Sequence, residues 1–323
     1  MALIPTLDLD EWDAADAERR AEIAAELDAA LRQTGIFLLR GHGVPPVLTD
    51  GMRTEGRKIF ALPAEQRAEI AVARPYDNGL RGLGALQVGA VEGVVNPPDL
   101  HEAFHTGPNH RTGDEAFDTR YYPANKWPEE LPGFQQTNEA YTGHMARISL
   151  RIMEVLAIVL GLPEDHFTRQ SQRATWTQNV NWYPSLEAIG SVQDGQLRVG
   201  PHTDFGSISL LDRQRGKGGL EVWNEQEGWF APPFEPGTLV VNLGDLMNLW
   251  TDGRWRSLRH RVLAPPASAP KEELVSLVFF FEADPDALIT PLVAPVGGGE
   301  GMKPVIAGQE ILEKVGLTLS LDG

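Results

Sequence analysis

The sequence predicts a mainly β fold with helices: a double-stranded β-helix (jelly-roll) core with N-terminal and central flanking helices. Two observations predict the core and a third predicts the flanks. From Thr175 onward, short apolar segments broken by Gly and Pro recur at 175–183, 196–202, 206–211, 219–223, 228–231, 238–242, 257–263 and 274–282. Eight short strands at this spacing are what a jelly roll requires. His202-Thr203-Asp204 and the distant His260 form a candidate ligand cluster that needs a barrel-like sheet to bring it together. Before residue 175 the apolar spacing is helical instead.

Taken in order, residues 1–10 alternate enough for a short strand. Residues 13–33 are rich in Ala, Glu and Arg, carry Ile23, Leu27, Ala30 and Leu31 at helical spacing, and stop at Gly35. Residues 36–39 read as an apolar strand, and 47–62 return to helical character before Pro63. Residues 74–113 are rich in Gly, Pro and Asn and read as a loop on the rim of a pocket. Its His101 and His105 have the spacing of one helical face, but Gly107 and Pro108 cut any helix short. With His110 they read as loop residues rather than metal ligands. Residues 132–161 form the longest helix, with apolar Met145, Ile148, Ile152, Val155, Leu156 and Val159. No repeat or low-complexity linker divides the chain. It reads as one domain, 1–323, with an N-terminal region 1–125, the jelly-roll core 175–282 and a tail 283–323.

Composition sets limits on function. Of 323 residues, 42% are hydrophobic and eight are Trp, enough for a sizeable core. The formal charge of −17 disfavours nucleic acid and anionic membrane surfaces as partners. Absence of cysteine excludes disulfides, thiolate metal sites and a cysteine nucleophile. The start Met1-Ala-Leu-Ile-Pro lacks a secretory signal pattern, and no apolar run approaches the roughly 20 residues of a membrane span. The expectation is a cytoplasmic protein with a small-molecule substrate; the oligomeric state is not legible. A P-loop and a G-x-S-x-G serine motif are both missing.

Two imidazoles and one carboxylate make up the facial triad that binds non-haem Fe(II) with open positions for O2 and an organic ligand. Residues two apart point to the same face of a strand, so His202 and Asp204 suit one strand end, with His260 supplying the third ligand. Zinc with bound water fits the same set as a hydrolase.

Around these residues the chain resembles the isopenicillin-N-synthase-like branch of the Fe(II)/2-oxoglutarate-dependent oxygenases. The similarity is carried by Gly200-Pro-His-Thr-Asp-Phe-Gly206, by Gly35-Ile-Phe-Leu-Leu-Arg-Gly-His-Gly-Val-Pro45, by Phe60-Ala-Leu-Pro-Ala-Glu-Gln66 and by Gly161-Leu-Pro-Glu-Asp-His-Phe167. Asn181-Trp-Tyr-Pro184, Asn242-Leu-Gly-Asp245, Trp250-Thr251 and Ser257 to Val262 complete it, so that it spans nearly the whole chain. The resemblance implies Fe(II), 2-oxoglutarate and O2, and oxidation of an unactivated C–H bond of a small molecule: hydroxylation, or else desaturation or ring closure, with natural-product metabolism as the setting. It places Glu102 and Phe104 on the pocket rim, and Tyr183, Ser276 and Asn181 beside the oxo acid.

One departure bears on the co-substrate. The family's Arg-x-Ser, which holds the distal carboxylate of 2-oxoglutarate, reads Leu274-Val275-Ser276 here. A buried dicarboxylate needs a cation or several donors. Arg198 shares strand parity with Gly200 and His202 and is the expected replacement; a substrate contact, or an outward side chain if the strand bulges, are its alternatives. An Fe(II)/O2 oxidase that needs no 2-oxoglutarate is the competing function, and a non-catalytic or hydrolytic metal-binding barrel a third. Asn242, Gly244 and Asp245 are expected to organise the turn leading to His260. Arg261 is expected to leave the pocket for an ion pair, and at most one ring of Phe279-Phe-Phe281 to reach it.

Overall fold

The computed structural model describes residues 3–93, 97–190 and 192–318. Residues 1–2 of the expected first strand, 94–96 of the expected loop and 319–323 of the tail lie outside the described residues. The strands that frame the site are β1 (Thr6–Asp8), β2 (Ile36–Arg40), β3 (Gly79–Arg81), β4 (Glu102–Thr106), β5 (Trp176–Tyr183), β6 (Val199–His202), β7 (Ile208–Asp212), β8 (Leu220–Asn224), β9 (Gly228–Phe230), β10 (Leu239–Leu243), β11 (His260–Val262) and β12 (Leu274–Phe281). They form a main sheet in the order β1-β2-β10-β7-β12-β5-β4-β3 and a minor sheet in the order β6-β11-β8-β9. Only β1 and β2 run parallel; the other pairings in these two sheets are antiparallel. All eight expected core strands form, but both sheets are open. The jelly roll is two facing sheets rather than a closed barrel.

Alternation along the main sheet divides its two faces. Phe37 and Leu39, Leu239 and Val241, Ile208 and Leu210, and Val275, Leu277 and Phe279 enter the large core under the helices. Residues of opposite parity, Ile36, Leu38 and Val240, join Leu220, Val222 and Leu258 of the minor-sheet side in a smaller cluster. The space between the sheets is therefore lined by one parity of each strand, as period-2 geometry requires. Asn242 of β10 and Ser276 of β12 fall on that inner parity.

The helices pack on the outer face. The expected helix 13–33 is two helices, Leu9–Ala14 and Ala17–Gln33, because Asp16 caps the second: its carboxylate accepts from the Arg19 amide at 2.9 Å. Leu27 and Leu31 sit one turn apart on its buried face. Gly35 ends the segment at φ +70°, and a Cβ there would stand 2.1 Å from the Arg256 carbonyl oxygen. The helix Pro132–Val159 buries Met145, Ile152 and Leu156 against the sheet and the helix Pro46–Phe60.

The expected loop 74–113 is the main departure, since it contributes β3 and β4 to the sheet edge. Four of the five residues of β4 are buried, so the apolar–polar alternation that marks a strand is missing there. No helix among the described residues is long and apolar enough to cross a membrane.

Candidate active site

His202 ends β6, His260 begins β11, and the two are direct cross-strand partners with ring centroids 4.2 Å apart. Asp204 is not on the strand, contrary to the expectation from spacing. It lies in the loop between β6 and β7. Asn242 positions it instead, donating from Nδ2 to Asp204 Oδ2 at 2.7 Å. The other oxygen, Oδ1, is left 3.6 Å from His202 Nε2 and 3.8 Å from His260 Nε2. One donor atom from each residue lies within 4.8 Å of the others.

Both rings are oriented by backbone carbonyls. His202 Nδ1 lies 2.9 Å from Gly200 O and His260 Nδ1 lies 3.1 Å from Leu258 O. A carbonyl accepts only, so each Nδ1 carries a proton, and in the neutral ring this leaves the Nε2 lone pair for the shared point. Burial would raise the Asp204 carboxyl, yet His260 and His202 beside it hold it well below the usual carboxylate range. Burial, and then His202, push His260 down to about 4. An ionised carboxylate and a neutral imidazole at His260, converging with His202, fit the donor set of iron(II). Replacing Asn242 with Ala should lower metal affinity about 10–100-fold while the fold survives, checked by competition with a chromophoric chelator.

Two cavities meet at this cluster, and both are lined by His202, Asp204 and Asn181. The first, of about 370 Å³, runs past His260 to Tyr183, Ser276, Leu274 and Arg213. The Tyr183 hydroxyl is in hydrogen-bonding contact with Ser276 and Asn181, and Asn181 Oδ1 is buried without a donor. The second, of about 250 Å³, opens between Tyr76, Arg81, His105, Asn179 and Glu282. His105 Nε2 and Asn179 Oδ1 are also buried without partners.

Arg198 does not occupy its expected place, and the reason is local. His260 pairs with His202 but Val262 pairs with Val199, so β6 carries an extra residue opposite β11. The bulge breaks the parity between His202 and Arg198. Val199 lines both cavities and Arg198 lines neither. The Arg198 guanidinium is buried, pairs with Glu272 Oε1 at 2.9 Å and also donates to the Glu272 carbonyl at 3.1 Å. It rests 5.4 Å from the Tyr183 ring centroid, behind the cavity wall.

The other expected residues fall as follows. Asp245 pairs with Lys314 at 2.8 Å and is not part of the His202, Asp204 and His260 cluster, and Arg261 pairs with Glu221 at 2.7 Å. Phe280 lines both cavities while Phe279 and Phe281 are core. Glu102 is bound by Arg67, and Phe104 packs edge-on against Phe134. Glu282 was not among the expected site residues. Its only sequence signal is a carboxylate directly after the apolar run of β12. Burial pushes its carboxyl up to about 7, opposed by a hydrogen bond from Thr175 at 2.7 Å. A folded pKa above the unfolded one means that the folded state holds more protons between roughly pH 4.5 and 7, so stability falls as pH rises through that window. Glu282→Gln should therefore stabilise the metal-free protein more at pH 8 than at pH 5, by a difference on the order of 2 kcal/mol, read by calorimetry. Equal gains at both pH values would contradict the assignment.

Comparisons with known proteins agree with this geometry. Residues 177–283 match the 2OG-Fe(II) oxygenase superfamily, and residues 4–130 match the N-terminal region of non-haem dioxygenases in morphine synthesis. Over 311 residues the chain is 62% identical to validamycin A dioxygenase of Streptomyces hygroscopicus subsp. limoneus, covering 96% of this chain and 85% of that one. The chain belongs to the 2OG-Fe(II) oxygenase superfamily. It is also 29% identical to a homoarginine-6-hydroxylase of Glycine max over 91% of this chain and 88% of that one. The crystal structure of a full-length Neurospora crassa protein in complex with alpha-KG and thymine shares the fold, with a TM-score of 0.83 at 22% identity over 97% of this chain and 96% of that one. JOX2 in complex with 2OG, Fe and JA has a TM-score of 0.76 at 25% identity, over 98% and 89%. The enzyme is an Fe(II)- and 2-oxoglutarate-dependent dioxygenase of small molecules, and the oxidase reading gives way to it.

Proposed function

We propose that the enzyme oxidises validamycin A or a close congener, by hydroxylation of an unactivated C–H bond, in one catalytic unit that includes the N-terminal region. The observation that carries this is the 62% identity to validamycin A dioxygenase over 96% of the chain. In this reading His202, Asp204 and His260 hold iron(II). Tyr183, Ser276 and Asn181 receive 2-oxoglutarate in the 370 Å³ cavity, and the organic substrate enters the 250 Å³ cavity. When bound, iron and the oxo acid together supply an oxidant strong enough to remove hydrogen from carbon.

The chain's own residues supply position and selectivity. The unpartnered polar atoms His105 Nε2 and Asn179 Oδ1 in the substrate cavity suit a ligand rich in hydroxyl or amino groups, because a buried polar atom is costly unless paired. Phe280 lies on both cavities and can separate oxo acid from substrate. The test is purified enzyme with Fe(II), 2-oxoglutarate, O2 and validamycin A, following succinate and product by mass spectrometry. Succinate release in step with a product heavier by one oxygen is expected. No acceleration of succinate release by validamycin A would overturn this choice of substrate.

A further inference from the structure

We infer that Arg213 anchors the distal carboxylate of 2-oxoglutarate, from the strand next to the one whose Leu274 leaves the position apolar. This rests on the 2-oxoglutarate dependence of the enzyme. Three observations carry it. First, Arg213 follows β7 with the parity of Ser209 and Leu211, the residues of that strand facing the space between the sheets. Ser209 reaches Asp204 and Leu211 lines the 370 Å³ cavity, as does Arg213 itself.

Second, the register points to it. Leu277 pairs with Asp212 on the last rung of β12 with β7, Arg213 is the first residue past that rung, and continuing the register by one residue brings it opposite Ser276. The cation has moved one strand sideways and still faces the serine that lines the cavity. Directly opposite residues have Cβ atoms roughly 5 Å apart. An arginine there can share one carboxylate with the Ser276 and Tyr183 hydroxyls.

Third, its charge lacks a counter-ion. Among the described residues no carboxylate forms an ion pair with Arg213. One guanidinium nitrogen donates to the Pro232 and Pro233 carbonyls, at 2.9 and 2.5 Å, and the group lies 5.6 Å from the Phe234 ring centroid. Burial lowers its pKa with nothing opposing. A partly buried cation braced on one side and opening into a cavity is completed by an anion. By contrast Arg198 is already neutralised by Glu272, and Arg215 and Lys217 on the same cavity are exposed.

The test reads binding rather than turnover. Anaerobic Fe(II)-loaded enzyme is titrated with 2-oxoglutarate and with 2-oxopentanoate, which lacks the distal carboxylate, following the charge-transfer absorption of the iron-bound oxo acid. The native enzyme should prefer 2-oxoglutarate strongly. Arg213→Leu and Arg213→Gln should lose about 10–100-fold in 2-oxoglutarate affinity and bind the two oxo acids alike, with unchanged iron stoichiometry. Adding Leu274→Arg to Arg213→Leu should restore part of the preference. Retention of the native preference in both single variants would overturn the anchor, as would its loss in Arg198→Leu but not in Arg213→Gln. A native enzyme that takes up Fe(II) yet shows no band with 2-oxoglutarate would overturn the co-substrate itself, a result distinct from either.

Discussion

His260→Ala should abolish turnover in a protein that still folds, and His202→Ala should do the same. Among the described residues the one set that could hold a metal ion is His202, Asp204 and His260; Asp204 Oδ2 is already taken by Asn242, and Asp245 is held by Lys314. Losing a ligand should cost more iron affinity than the 10–100-fold typical of losing a supporting hydrogen bond. Folding should survive because the strands that carry the two histidines are held by their neighbours. β11 pairs with both β6 and β8, so its ladder does not depend on the imidazole. The measurements are iron stoichiometry after desalting, succinate release and melting temperature. Full iron content and native turnover in either variant would sink the triad.

The arrangement also shows which parts of a site can be read from a sequence. Periodicity and turn residues located every strand of the core, because each strand between the sheets keeps one polar or cavity-lining face and one apolar face. They missed β4, where burial on both faces removes the alternation. The cluster that could hold a metal ion was legible as His-x-Asp and a distant His, but strand parity gave the wrong reason for the position of Asp204. That carboxylate lies beyond the strand end and is placed by Asn242, a contact made across 38 positions of sequence. Parity also failed at Arg198, where one bulged residue in β6 turns the side chain away from the site. The signal for Arg213 was present, since it continues the alternation of Ser209 and Leu211. It needed the β7–β12 register to acquire meaning, and register between distant strands is not written in either strand alone.

Gly244→Ala should loosen the metal site without touching a ligand. Gly244 has an extended backbone, φ −101° and ψ −177°, which any residue can adopt, so the constraint is space rather than dihedral angle. A Cβ there would lie 2.3 Å from the Gly206 carbonyl oxygen and 2.9 Å from that of Asp204. Those atoms belong to the loop that carries Asp204. The same turn is stitched to that loop by backbone bonds: Gly244 N to Ser207 O at 3.1 Å, Asp245 N to Asp204 O at 2.8 Å and Leu246 N to Gly206 O at 3.1 Å. Backbone cannot swing aside as the tip of a flexible side chain can, so the methyl must push the loop or break the bonds. Overpacking of this kind costs about 1–3 kcal/mol of stability. The displaced Asp204 should also lower iron affinity. Asp245→Asn is the control, since it weakens the Lys314 pair at the helix Ala307–Gly316 and leaves the backbone bonds intact. It should keep native iron affinity, as expected for a residue that is not a ligand. Native melting temperature and iron affinity in Gly244→Ala would show that the loop yields freely, and that close approach of the two turns does not position Asp204.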